Sequence, residues 1–189
     1  MVMMLVGLGL FVAIHVVASL RGLRADLIAR LGEVGYRGLF SLVATAGVLL
    51  TAFGYDAWRA AGPAVLWDPP RFLTHITMLL MLLASIAAAA AYVPSHIKAK
   101  LKHPLLVAVK TWAFAHLLVN GDVASMVLFA SVLAWAVYDR ISLKKRGNPL
   151  PVAPKGWGGD ALAVVLGLVL FAGLAYLFHP YVVGVPVMG

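Results

Sequence analysis

The groups in this chain best suited to chemistry are imidazoles in apolar surroundings. Six histidines are present. His15 lies within "LGLFVAIHVVASL" and His116 within "WAFAHLLVN", runs that are otherwise almost wholly apolar. His75, His96, His103 and His179 fall nearer the ends of such runs, where an imidazole is an ordinary interfacial polar residue. A neutral imidazole serves as a metal ligand or a proton shuttle. An ionisable group inside a membrane span is costly, so its default reading is functional. The competing reading of each buried histidine is a hydrogen bond to a backbone carbonyl or a serine on another helix.

The chemistry open to these imidazoles is narrowed by what the chain lacks. The seven carboxylates, Asp26, Glu33, Asp56, Asp68, Asp122, Asp139 and Asp160, fall in loops or at helix ends. A proton-coupled carrier usually needs an acid at depth, so transport is disfavoured. There is no cysteine, which excludes disulfides, thiolate metal ligands, iron-sulfur clusters and covalently attached c-type haem. Two imidazoles without acidic partners suit an iron porphyrin, whose apolar ring packs between helices. Noncovalent b-type haem is the cofactor that this chemistry allows. Depth is compatible with the pair without demanding it: His15 lies about 9 Å of helix before Arg21 and His116 about 18 Å after Pro104. Taking Arg24 as the boundary, with Arg21 snorkelling, narrows the mismatch to roughly 4 or 5 Å. Asn120 follows His116 by four residues and would share its helix face, where an amide could orient a metal-bound ring. Asn120-Gly121-Asp122 also reads as a tight hairpin, with a left-handed Gly121 and Asp122 capping the next helix.

The elements that must position these residues are membrane helices. The chain is 63% hydrophobic and only 12% charged, with a mean hydropathy of +0.98, outside the range of soluble domains. Crossing a hydrocarbon core of about 30 Å takes roughly 17 to 25 apolar residues. About six segments qualify: 2–20, 38–55, 72–92, 104–119, 123–138 and 161–178, the fourth and fifth being short. The fold class expected is an all-α polytopic helix bundle forming a single domain over residues 1–189. The net charge of +8 is a topology signal, not a nucleic-acid footprint. All basic residues except Arg59 and Arg71 fall around alternate loops on one side, so the positive-inside rule places both termini outside, in the periplasm of a bacterial inner membrane. The first span, with its positive charges behind it, reads as retained and not as a cleaved signal.

Residues 21–38 read as a connector able to form a short amphipathic helix on the lipid surface. Asp68-Pro69-Pro70 should break helix, with Trp58 and Trp67 as interfacial anchors. Residues 142–160, basic and rich in proline and glycine, suggest an irregular loop. The alanines of "ASIAAAAAY" allow close helix approach and point to a central position for the third span.

The stretches "HVVASLRGLRADLIARLGEVGYRGLFSL", "AYVPSHI", "KHPLLVAVKTWAFAHLLVNGD" and "LFASVLAWAVYDR" resemble the NnrU proteins of bacteria over essentially the whole chain. That family is in turn similar to the plant and cyanobacterial 15-cis-zeta-carotene isomerases, membrane proteins that hold b-type haem between two histidines and isomerise a double bond through redox-linked ligand exchange. The resemblance implies His15 and His116 as the ligands of haem b, with Asn120 as support. It also implies a role in nitrite and nitric oxide respiration, that is denitrification, or a haem-dependent cis-trans isomerisation of a lipid-soluble substrate. Those isomerases carry a cysteine one helical turn before the second histidine, and here Ala113 stands there, which puts the ligand-exchange step in doubt. Besides the lipid bilayer, the partners expected are a respiratory complex or that lipid-soluble substrate, with no nucleic acid. The alternative is a cofactor-free assembly or scaffold protein for a respiratory oxidoreductase.

Overall fold

The computed structural model describes residues 1–147 and 150–187. Its elements are helices: α1 (Val2–Ser19), α2 (Arg21–Ala60), α3 (Phe72–Ala90), α4 (His96–Leu101), α5 (Pro104–Val119), α6 (Val123–Arg146) and α7 (Gly158–Gly173), the last continuing as a π-helix over Leu174–Val183. In hydrocarbon no water is at hand for backbone N–H and C=O groups, so a spanning segment must satisfy them internally, as a helix does. Among the described residues five helices are long and apolar enough to cross a membrane: α1, α2, α3, α6 and α7 with its continuation. The sixth apolar helix, α5, has 16 residues. The helices group into two compact units, Met1–Pro69 with Asn120–Gly147, and Pro70–Val119 with Asn148–Gly189.

In the first unit α1 runs antiparallel to α2 in backbone contact. A Cβ added to Gly54 would overlap the backbone N of Met4, one on Gly7 the backbone N of Thr51, and one on Gly47 would lie 2.8 Å from the N of Phe11. Small residues at such crossings bring helices together where lipid offers no hydrophobic drive to association. Within residues 21–38 the chain forms the short helix expected there, which ends at a kink. Gly32 (φ 72, ψ 165), in a conformation natural to glycine alone, is non-helical and separates it from the helix that enters the span. The packing of α6 on this hairpin is fixed by a hydrogen bond between Tyr55 Oη and Ser125 Oγ (2.7 Å) and by one that Ser19 Oγ, already donating to Val16 O, accepts from Tyr138 Oη (3.1 Å).

Two expectations for this unit need correction. The fifth apolar segment is not short, because α6 continues eight residues past Tyr138 to Arg146. Ser142–Arg146 therefore belongs to helix, and the expected irregular loop begins only after it. Three cations in the last turn favour the negative end of the helix dipole, and Gly147 (φ 63) ends α6 with a left-handed cap. Asn148 and Pro149 of that loop lie outside the described residues. Gly121, for its part, is not left-handed. It is needed because a Cβ would overlap the carbonyl oxygen of Trp67. There Leu66 N donates to Gly121 O (2.8 Å) and Val123 N to Ala64 O (3.0 Å), joining the loop after α2 to the turn before α6. Asp122 caps α6 as expected, accepting from Ser125 N at 2.9 Å.

In the second unit α3 packs on both α5 and α7, the central place its alanines suggest. Ala84, Ala87 and Ala90 are buried along it, and Thr77 Oγ1 donates to Ala115 O of α5 at 3.1 Å. Pro104 opens α5, as its missing N–H allows. The start of α7 is tied to α4 by Asp160, whose carboxylate meets His96 Nδ1 (2.7 Å) and accepts from Ile97 N (2.9 Å). The His96 ring stacks on Trp157 at 4.2 Å.

Two stability outcomes follow from these contacts. Gly54→Val, which forces α1 and α2 apart, should cost about 3 kcal/mol or more, whereas Gly173→Ala, which meets open space, should cost nothing. Thermal unfolding in detergent measures both. In the second unit Asp160→Ala should lower the melting temperature more than Asp160→Asn, since the amide oxygen still accepts from Ile97 N.

Candidate imidazole sites

The two histidines singled out by the sequence lie in different units, and each has its own surroundings. His15 is carried by α1 in the first unit. Its Nδ1 lies 2.7 Å from Phe11 O, one helical turn earlier. A carbonyl oxygen can only accept, so Nδ1 carries the hydrogen and the lone pair of the neutral ring is on Nε2. Three aromatic rings enclose the imidazole: Phe11 (centroids 4.2 Å apart), Trp135 of α6 (4.8 Å) and Phe40 of α2 (5.0 Å). Trp135 Nε1 is enclosed with no acceptor among the described residues. Leaving such a donor unsatisfied costs about 1–3 kcal/mol, which a bound acceptor would relieve.

His116 is carried by α5 in the second unit. Its Nδ1 lies 2.8 Å from Trp112 O, again one turn earlier, and the Trp112 ring is 5.1 Å away. The same argument puts the neutral ring's lone pair on Nε2. Its neighbours Ala113 and Ala115 are fully buried, and neither side chain carries a ligating atom. His179 lies near it, with ring centroids 6.1 Å apart and planes inclined by 20°. His179 Nδ1 meets Leu174 O at 2.9 Å, five residues back instead of four because this stretch is π-helical.

His15 and His116 thus share one local design, an aromatic residue four positions before the histidine whose carbonyl holds Nδ1. Metal-bound histidines characteristically commit their second nitrogen in this way to a carbonyl or carboxylate. F-x-x-x-H and W-x-x-x-H are both visible in the sequence. His179 was read there as an interfacial residue, and no local pattern marks it as a neighbour of His116. Nor does any local pattern reveal Phe40 and Trp135, which reach His15 from other helices. Asn120 directly follows Val119, the last residue of α5, four positions after His116. His75 is exposed. Among the described residues no three His, Cys, Asp or Glu side chains come together to hold a bare ion.

Comparison with known proteins yields one match. No curated protein and no solved structure shows significant similarity. The family described as NnrU protein matches residues 3–187, nearly the entire chain and both imidazole-bearing helices. On that match, and on its long apolar helices, the chain is a membrane protein that belongs to the NnrU family.

Proposed function

We propose that this protein is a b-type haem protein of the bacterial inner membrane, in which His15 and His116 would hold the haem, acting in nitrite and nitric oxide respiration. The observation that carries the reading is the shared arrangement of the two rings, each with Nδ1 committed to the carbonyl four residues back. That contact fixes the tautomer and restrains ring rotation, so Nε2 is the ligating atom without reorganisation. The donor set fits: two imidazoles, each with Nδ1 held by a carbonyl, and a polarisable aromatic wall around His15.

A bound haem would supply a one-electron couple. The chain's own contribution is restraint. Phe11, Phe40 and Trp135 pack around His15, and Ala113 and Ala115 are fully buried beside His116 on α5. A redox-linked isomerisation of a lipid-soluble substrate belongs to the same reading. It cannot use a cysteine in place of Ala113, so any exchange of ligand has to involve another imidazole or an outside donor.

A second ligand set is favoured by one observation, the 6.1 Å approach of the His116 and His179 rings. In that set His116 and His179, both in the second unit, would hold the haem.

The test is an absorption spectrum of the protein purified in mild detergent after expression with ample haem. A Soret band is expected. His15→Ala and His116→Ala should each weaken haem retention about tenfold or more, with His75→Ala unchanged. Loss in His116→Ala and His179→Ala with His15→Ala silent would select the second set. A colourless protein that copurifies with an oxidoreductase would overturn haem binding in favour of the assembly role.

A further inference from the structure

We infer that the first unit holds one anionic phospholipid, its phosphate in a basic cleft at the joint of α1, α2 and α6 and one acyl chain in a groove along α1 and α6. The cleft, about 400 Å³, is lined by Arg21, Lys145 and Arg146 together with Tyr138 and Ser142. Arg146 pairs with Asp139 at 3.1 Å, so three cations and one carboxylate leave two positive charges facing the cleft. Arg146 Nε is enclosed without a partner among the described residues, a donor that a phosphate oxygen would satisfy. The Arg21 guanidinium donates to Arg146 O, which places it across the end of α6 and beside Lys145.

The second feature is the groove, about 420 Å³ and predominantly apolar, which shares Tyr138 with the cleft. It runs beside Val16, Val12, Gly9 and Leu5 of α1 and past Ala134 and Trp135 of α6. From Leu5 to Val16 the helix rises about 16 Å, half of a hydrocarbon core of about 30 Å. The groove therefore has the depth of one leaflet and opens into a basic mouth at one end. A free phosphate would use the mouth alone, and a second protein copy would not need two uncompensated cations at the end of an apolar channel. A diacyl lipid with an anionic headgroup uses both. Basic pockets between membrane helices on the cytoplasmic side recognise such headgroups. The site depends on neither imidazole, so it stands or falls separately from haem binding.

Gly9 makes the proposal testable without disturbing the fold. A Cβ added there meets no protein atom within 4 Å, and Gly9 lines the groove, so Gly9→Leu extends a side chain into it. Ala134→Leu does the same from α6. The protein is delipidated in detergent, mixed with dioleoyl phosphatidylglycerol or dioleoyl phosphatidylcholine, and examined by native mass spectrometry and thermal unfolding. The expected result is one retained phosphatidylglycerol that raises the melting temperature, with phosphatidylcholine much weaker. Arg21→Gln and Lys145→Gln should each weaken retention roughly fivefold. Gly9→Leu and Ala134→Leu should abolish retention while eluting as the wild type does, and inorganic phosphate at matched concentration should not displace the lipid. Equal retention of both lipids, or full retention in the two groove-filling variants, overturns the proposal. So does displacement by inorganic phosphate, or a change of oligomeric state in Gly9→Leu with lipid binding intact.

Discussion

Backbone contact between α1 and α2 is the constraint on which the first unit rests. Lipid chains are as apolar as leucine, so two membrane helices gain little by hiding leucines from lipid and must gain by fitting closely. Gly7, Gly47 and Gly54 bring the main chains themselves together. The register that this fixes decides everything placed on the hairpin: His15 faces Phe40, Tyr55 reaches Ser125, and Ser19 meets Tyr138. A bulkier residue at any of these glycines would displace the histidine cage together with the helix.

Much of this was legible in the sequence, and the limits have physical causes. Helix identity follows from runs of apolar residues, because backbone satisfaction in hydrocarbon leaves little choice, and α5 was bounded correctly by Pro104 and the Asn-Gly-Asp turn. The far end of α6 was misjudged because "ISLKKR" looks like a solvated loop. Charge there marks the membrane surface and not the end of a helix, and cations suit a helix C-terminus. Gly32 was harder still, since one left-handed residue inside a charged stretch leaves no trace in hydropathy. The role of Gly121 was misread for a related reason: its missing side chain serves a neighbour, Trp67, that lies some fifty residues away in the chain.

The candidate sites divide in the same way. The carbonyl that anchors each imidazole is local, one turn back on the same helix, and so can be read from F-x-x-x-H and W-x-x-x-H. The rings that arrive from other helices are not local. Trp135 and Phe40 around His15, and His179 beside His116, depend on packing that no periodicity encodes. The tether between His96 and Asp160 is similarly distant in sequence, joining residues whose separate roles, interfacial imidazole and helix-end acid, looked unremarkable.

The order in which the chain is made gives the glycine contact a further meaning. α1 and α2 are complete at Ala60, but α6, their third partner, starts only at Val123. At a synthesis rate of about 5–20 residues per second, that leaves roughly 3 to 13 seconds in which the hairpin is alone. During that interval the Tyr55 hydroxyl has no Ser125 to meet, whereas Ser19 already has its own Val16 carbonyl. A helix pair joined main chain to main chain needs no third element to hold its register, so the newborn hairpin can wait for α6 as a finished docking surface.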